Sequence, residues 1–562
     1  MTSRATSGKV DGVKGPAWRE AALDALERER FDLLIIGGGI NGAGIARDAA
    51  LRGLRVALVE QSDFASGTSS RSSKLIHGGL RYLEQGEVRL VLESTRERER
   101  LRRLAPHLVR PMRFVYPIYA GGPLSRWKLA AGLWAYDILA GLRNVQRHHM
   151  LGVEDTRRAE PALLTDGLQG AGQYWDCWTD DARLVLETLL SARDEGAVVV
   201  SYARVVGITK DAGRVTGARV SDCLGARELT VCARAVVNAA GPWMDAVSDL
   251  DEPAPPRLRP TKGVHLVVPR SRVGHEAAIV LHAVQDGRVM FVIPWDECSL
   301  VGTTDTDHPG GAAVPPTVER EDVTYLLDTV NHYFPEAHLT SADVVSAFAG
   351  LRPLVAPPPG KEESPSDVSR EEEIFVSRAG LISVAGGKLT TYRLISAEVV
   401  DRVAERLVRT VDGELIGRSR TADRPLPGGS TPPETLAAAA SRNGHGIARD
   451  VIDHLAGRYG SRLGTVLGML ATDRALGAPV LPAQPDPRAE VVAAVEGELA
   501  LTLEDVLRRR TQLALFDRSA GSAAADEVAA LMAARLGWSP EDARAAAHAY
   551  VEAVREDQRR WR

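Results

Sequence analysis

Three glycines spaced Gly37-x-Gly39-x-x-Gly42 stand between an apolar run, Phe31-Asp32-Leu33-Leu34-Ile35-Ile36, and an alanine-rich stretch that opens at Ile40. Residues of this type at this spacing bind a pyrophosphate with backbone alone. The first glycine permits a tight turn, the second lets the phosphates approach the chain, and the third lets helix and strand pack closely. The helix that follows offers unpaired N–H groups and a partial positive charge at its start, both suited to phosphate. Glu60 comes 18 residues after Gly42, at the end of a second apolar run, Arg55-Val56-Ala57-Leu58-Val59-Glu60. A carboxylate there accepts hydrogen bonds from ribose hydroxyls and repels a 2′-phosphate, which argues against NADP. Bare G-x-G-x-x-G is a weak signal; its place between strand and helix makes it specific. The glycines do not separate FAD from NAD. The hydroxyl-rich segment Gly67-Thr68-Ser69-Ser70-Arg71-Ser72-Ser73-Lys74 favours FAD, because a flavin and its pyrophosphate need hydrogen-bond donors close after the second strand. Thr68, Ser69, Ser73 and Lys74 are therefore expected at the cofactor.

These groups need elements to hold them. Phe31 to Ile36 reads as a fully buried parallel strand, Ile40 to Gly53 as a helix and Arg55 to Glu60 as a second strand. Together they make one βαβ unit of about 30 residues. Further strands are expected at Ala197 to Val206, Val215 to Val220, Ala235 to Asn238, Val264 to Val268 and Val289 to Ile293. Strands and helices interleaved in this way predict an α/β fold, a Rossmann-type dinucleotide-binding domain with an interleaved antiparallel-sheet substrate domain. Residues 416–433 are rich in Pro, Gly, Ser and Thr and read as a linker. Beyond them the chain turns to Ala, Arg, Leu and Glu with helical periodicity. Ser539-Pro540-Glu541-Asp542 is a helix start: a Ser cap, Pro at the first position, acids in the first turn. The expected organisation is a tail at 1–29, disordered before a short helix; an FAD-binding α/β domain with the inserted substrate region at 30–415; the linker; and an all-helical C-terminal domain at 434–562.

The 562 residues carry 44% hydrophobic and 25% charged residues, ordinary for a soluble globular protein. A formal net charge of -5 gives no global pull toward nucleic acid. Cys177, Cys223, Cys232 and Cys298 form no C-x-x-C pair, so the chain reads as reduced and cytosolic, with neither a disulfide framework nor a zinc site, and no metal is expected. No apolar run approaches the roughly 18 to 20 residues of a transmembrane helix, and Met1 to Arg30 lacks the apolar core of a signal peptide.

Several blocks carry a resemblance. Ile36-Gly-Gly-Gly-Ile-Asn-Gly-Ala-Gly-Ile-Ala-Arg-Asp-Ala-Ala-Leu-Arg-Gly53 resembles the N-terminal signature of FAD-dependent glycerol-3-phosphate dehydrogenases, and Ser72-Ser-Lys-Leu-Ile-His-Gly-Gly-Leu-Arg-Tyr-Leu83 resembles their next block. Tyr174-Trp-Asp-Cys-Trp-Thr-Asp-Asp-Ala-Arg-Leu184, Asn238-Ala-Ala-Gly-Pro-Trp243, Lys262-Gly-Val-His265, Pro294-Trp295, Gly302-Thr-Thr-Asp305, Gly350-Leu-Arg-Pro353 and Gly386-Gly-Lys-Leu-Thr-Thr-Tyr-Arg393 follow in family order. Ser396 stands where the family pattern has alanine. The resemblance implies that sn-glycerol 3-phosphate is oxidised to dihydroxyacetone phosphate, with the hydride passing from C2 to flavin N5 and a membrane quinone reoxidising the flavin. It matches Arg81, Tyr82, Arg352, Arg370 and Lys388 to the family's phosphate and substrate positions, and His77, Gly241, Gly387, Lys388, Leu389 and Thr390 to its cofactor positions. Arginine suits bidentate recognition of a phosphate dianion and lysine supplies a point charge. The C2 hydroxyl needs a base, a task that suits histidine near neutral pH. His265 is the candidate, His77 the alternative, and Arg352 can also stabilise the developing alkoxide.

Some readings stay open at this level. Oxygen in place of quinone would make the enzyme an oxidase. An amine-oxidising flavoenzyme of the wider fold group would need a carboxylate clamp, and a flavin-binding protein without turnover would not need the base. Arg126-Trp127-Lys128-Leu129 through Leu133-Trp134-Ala135-Tyr136 to Leu139 reads equally as an interfacial helix or as a core-packed one. The family expectation is a cytoplasmic protein held peripherally on the inner face of the cytoplasmic membrane, with a homodimer and the role of the helical domain left open.

Overall fold

In the computed structural model, residues 16–84, 86–141, 144–357, 372–442 and 446–562 are described. The strand Arg30–Ile36 is buried along all but its first residue. It runs parallel to Val56–Val59 on one side and to Glu228–Asn238 on the other. Val198–Val200 and Ile382–Ala385 extend the parallel order outward, and Glu373–Val376 pairs antiparallel at the edge. Continuous apolar strands of this kind need cover on both faces. One face is covered by the helices Ile40–Leu51, Asp181–Asp194 and Tyr392–Leu407, which share a core with Leu33, Ile35 and Leu58. The other face is covered by the helix Ala17–Arg28 and the hairpin of Ala203–Asp211 with Arg214–Asp222.

The short helix expected before residue 30 is Ala17–Arg28, and it packs on the sheet: Leu23 and Leu26 are buried, and Arg19 makes a buried ion pair with Asp222 at 2.7 Å. Residues 1–15 of the expected tail lie outside the described residues. The single strand expected at 197–206 is two strands, Val198–Val200 and Ala203–Asp211. Tyr202 between them is left-handed, with φ of 55°, and its amide donates to Ser62 O at 2.9 Å, so the chain turns where the apolar pattern runs on.

The second sheet has ten strands among the described residues and is mostly antiparallel. Its ladder between Leu258–Pro269 and Ser346–Val355 sets Thr261 opposite Arg352, Gly263 opposite Gly350 and His265 opposite Phe348. Alternate residues of a strand share a face. Thr261, Gly263 and His265 therefore look the same way.

Beyond 433 the chain is helical, with its own core around Val491, Val506, Leu507, Val528 and Met532. The helix Pro540–Trp561 starts as read: Ser539 Oγ accepts from the Asp542 amide at 3.1 Å, and the Asp542 carboxylate accepts from the Ser539 amide at 3.0 Å. The linker segment is no loose tether. The Gly428 amide donates to Glu187 at 3.0 Å, and Arg393 donates to the Thr421 hydroxyl at 3.2 Å.

Candidate functional site

A cleft runs from the C-terminal ends of the parallel strands to the Leu258–Pro269 and Ser346–Val355 ladder, with about 320 Å³ open to the centre of a water molecule. Ligands of open parallel sheets bind at this position, where crossovers to either side leave a crevice. At one end lie Gly37, Gly39, Glu60 and Arg204; at the other lie Tyr82, His265, Arg352 and Lys388.

The fingerprint performs the task its spacing suggests. Gly37 has φ of +111°, and a Cβ there would stand 2.5 Å from Ala239 O. A Cβ on Gly42 would stand 1.9 Å from Gly37 O, so the third glycine is a packing requirement and does not line the cleft. Gly39 caps the helix and faces the cleft, with Ser69 Oγ 3.1 Å from where its Cβ would be. Both oxygens of Glu60 are engaged: one accepts from the Gly38 amide at 2.7 Å and one from the Ser62 amide at 2.8 Å. Burial pushes its carboxyl above the usual range, and these two amides act against that. At the far wall Gly386 and Gly387 are both left-handed, and Asn41 donates to Gly386 O at 3.3 Å. Thr390 and His77 are joined twice, the His77 amide donating to the threonine hydroxyl and that hydroxyl to His77 O, each at 3.2 Å. Leu389 and Gly241 also line the cleft. Glycines that let backbone reach the cleft, a helix N-terminus at its floor and a carboxylate at the ribose position fit an extended dinucleotide.

Thr68, Ser69, Ser72 and Ser73 of the hydroxyl run line the cleft, and their side chains also tie the segment to the rest of the fold. Thr68 donates to Leu351 O at 2.6 Å, Ser69 accepts from the Ile40 amide at 3.0 Å, Ser72 donates to Asp181 at 2.7 Å and Ser73 Oγ lies 2.9 Å from His265 Nε2. These bonds join the segment to two helix starts, at Ile40 and Asp181, and to two strands of the second sheet, at Leu351 and His265. Lys74 does not line the cleft at all. Its ammonium is buried on Asp181 at 2.5 Å and over the Trp295 ring. A buried ammonium needs a partner charge, and the carboxylate supplied by the Asp181–Asp194 helix meets that need.

Of the residues read as catalytic or substrate-binding, Tyr82, His265, Arg352 and Lys388 all line this one cleft. The Arg352 guanidinium lies over Gly263, where a Cβ would stand 2.4 Å from Nη2. It donates to Asp305 at 2.9 Å and to Thr303 Oγ1 and Thr304 O at 3.0 Å each. His265, on the same face two residues on, stacks on Phe348 with ring centroids 5.1 Å apart. Burial pushes its imidazole down to about 3, with Arg352 and Lys74 adding to the effect. The Lys388 ammonium sits over the Tyr82 ring, 3.3 Å from its centroid. Arg81 belongs to the short helix Arg81–Glu84, and its side chain lies outside the described residues, as does Arg370 altogether.

Arg71, Asn41, Trp243 and Arg204 line the cleft without having been singled out. Arg71 donates to Ala349 O at 2.8 Å and Ser66 O at 3.3 Å, and burial brings its guanidinium down to about 10. Its place inside the hydroxyl run was the available signal.

A family model described as FAD dependent oxidoreductase matches residues 32–393, and one described as the C-terminal domain of alpha-glycerophosphate oxidase matches residues 419–543. The aerobic glycerol-3-phosphate dehydrogenase of Staphylococcus haemolyticus is 38% identical over 503 residues, covering 88% of each chain. The X-ray structure of the glycerol-3-phosphate dehydrogenase from Bacillus halodurans complexed with FAD superposes with a TM-score of 0.78 at 32% identity, covering 97% of both chains. Glycine oxidase from Geobacillus kaustophilus, 22% identical with a TM-score of 0.51, covers 67% of this chain and 95% of its own, and shows a shared fold alone.

Proposed function

The chain belongs to the FAD-dependent oxidoreductases and, within them, to the family of the aerobic glycerol-3-phosphate dehydrogenases, and from that premise we propose that it oxidises sn-glycerol 3-phosphate to dihydroxyacetone phosphate and passes the electrons to a membrane quinone. One observation carries the reading. A neutral buried histidine, His265, and a fixed guanidinium, Arg352, share one strand-ladder face at the end of a dinucleotide cleft.

Arg352 and Lys388, with Tyr82 beneath the ammonium, supply the positive charge and hydroxyl that a phosphorylated alcohol requires. Asp305 and the Thr303–Thr304 turn hold the Arg352 plane, so its charge stands fixed before the substrate arrives. His265 takes the C2 hydroxyl proton. The cations that depress its pKa are answered by the substrate's own negative charge, which raises the imidazole's basicity once substrate is in place. Gly37, Gly39, the first turn of the fingerprint helix, Glu60 and the Gly386–Thr390 turn would hold FAD along the cleft, where it would supply the acceptor for the C2 hydride.

Anaerobic addition of glycerol 3-phosphate to the purified protein is expected to bleach the flavin absorbance, while glycerol, sarcosine and D-amino acids leave it unchanged. Bleaching by an amine substrate, or none with glycerol 3-phosphate, overturns the reading. The match of residues 419–543 to an oxidase's C-terminal domain keeps oxygen as the second acceptor. Oxygen uptake without added quinone would select it.

The quinone places the protein at a membrane surface, facing the cytoplasm. No helix among the described residues is long and apolar enough to cross a membrane. The helix Arg126–Leu139 supports attachment from one side: Leu129, Leu133 and Tyr136 are buried, while Trp127, Trp134 and Ile138 are 75%, 53% and 62% exposed on the opposite face beside Arg126 and Lys128. The buried face packs on the core, and the exposed face is the one a membrane contact would use. Trp127→Ser/Trp134→Ser is expected to lose sedimentation with anionic vesicles and to keep turnover with a soluble dye acceptor. Unchanged sedimentation rules out this face.

A further inference from the structure

Between Glu504 and Thr511 the helical domain winds as a π-helix, Asp505–Arg510. Insertions of this kind are uncommon and tend to occur at functional places. Here the side chains leave their own domain. Arg510 donates to both oxygens of Asp63, from Nη1 at 2.5 Å and Nη2 at 2.9 Å, and Arg509 Nε donates to Asp63 as well. Asp63 is buried, three residues after Glu60, in the segment that leads into the cleft-lining Ser66, Gly67, Thr68 and Ser69. Burial pushes its carboxyl up, but the two guanidiniums outweigh that and leave it below the usual range.

Two further ties leave the same stretch. Asp505 accepts from the Tyr202 hydroxyl at 2.8 Å, and Tyr202 is the left-handed residue that turns the chain into the cleft-lining Ala203, Arg204 and Val205. Gln512 donates to Asp180 at 2.9 Å, beside the Asp181 that holds Ser72 and Lys74. Asp63, Tyr202 and Asp180 do not line the cleft; Asp63 and Tyr202 are close in sequence to residues that do, and Asp180 precedes Asp181, which accepts from the cleft-lining Ser72. Removing one partner of a buried ion pair leaves an uncompensated charge, so a segment held by one tolerates little displacement. Three ties from one segment therefore bear on two cleft-lining stretches, Ala203 to Val205 through Tyr202 and Ser66 to Ser73 through Asp63 and, by way of Asp181, through Asp180.

We propose that residues 505–512 of the helical domain are a positioning element for the adenosine-pyrophosphate half of the cofactor cleft, acting through Asp63, Tyr202 and Asp180. The proposal rests on membership of the FAD-dependent oxidoreductases and not on the identity of the oxidised alcohol, so failure of the substrate reading leaves it standing.

The test uses holoenzyme carrying Arg510→Gln, Tyr202→Phe or Gln512→Ala. Flavin release on dilution is followed by fluorescence, and amide exchange is followed by segment. Loss of a partner to the buried Asp63 carboxylate is expected to speed FAD release by about tenfold or more, with a smaller acceleration in the other two variants. Exchange is expected to rise at 61–67 and 201–205 and to stay unchanged at 386–391. If Arg510→Gln does not fold, Tyr202→Phe and Gln512→Ala decide. Release within about twofold of wild type in those two, the range of a neutral substitution, overturns the proposal. So does exchange that rises equally in all segments, which would mark a purely structural contact.

Discussion

Burial, with Arg352 and Lys74 behind it, brings the His265 imidazole down to about 3. The free protein therefore carries a neutral imidazole here throughout the neutral range, and with His265 as the proposed base kcat/KM is expected to show no acid limb near 6.5, the ordinary histidine value. His265→Ala is expected to lower kcat by about 10²- to 10⁴-fold with little change in KM, because a base acts mainly in the transition state. A steady-state pH series on both proteins checks the two statements, and a wild-type kcat in the variant removes His265 from the chemistry. Arg352 acts differently. A phosphate charge is felt in ground and transition states alike, so Arg352→Ala is expected to fall mainly in kcat/KM. It should also lose most of the wild-type preference for glycerol 3-phosphate over glycerol. An unchanged preference ratio shows that Arg352 touches no phosphate. Asp305 is left without this guanidinium in that variant, so Arg352→Lys, which keeps a charge but no fork, is expected to fall between the two.

At the scale of the strand, Gly302 ends Cys298–Gly302 opposite His265. A Cβ on it would stand 2.2 Å from His265 Cδ2. Gly302→Ala is expected to push the imidazole off Phe348 and to lower kcat by about 10²-fold or more, with FAD content retained. Normal kcat with bound FAD would mean the ring position is immaterial. The motif Gly302-Thr-Thr-Asp305 was visible in the sequence, but the reason for its glycine lies in a side chain on another strand. The same holds for Gly263 and Arg352. The dinucleotide fingerprint was legible because turn, helix start and close packing are all decided within one βαβ unit. The hydroxyls of Thr68 to Ser73 were legible as polar groups in need of partners, but Leu351 and His265 reach them through strand register, which local pattern does not carry. Lys74 was misplaced for the same reason, its partner Asp181 lying beyond several elements. A left-handed tyrosine at 202 has no propensity signal, since only glycine, asparagine and aspartate visit that region readily.

Across the whole molecule, the seam between the oxidoreductase and helical domains holds an uncharged histidine. A Cβ on Gly428 would stand 2.4 Å from His107 Nε2, and one on Gly460 2.9 Å from its Cγ. Both ring nitrogens are buried without a hydrogen-bond partner among the described residues. Burial pushes the imidazole down to about 3, with Arg183 and Arg110 adding to it. The sign of the linkage follows. At pH 7 the ring is neutral both folded and unfolded, and pH costs nothing. Below the unfolded value of about 6.5 the unfolded chain takes a proton that the folded one refuses, so stability is present above that value and is lost as pH falls toward 3. Buried carboxyls raised by desolvation, Glu187 beside this seam among them, shift the balance the other way, so the total pH profile does not isolate the histidine. A difference between two proteins does. His107→Leu keeps the volume and removes the titration. Relative to wild type it is expected to gain about 2 kcal/mol between pH 7 and pH 5, read from urea midpoints at each pH. A difference that stays flat with pH would mean that His107 is protonated in the fold, and that the seam admits water or a counter-charge.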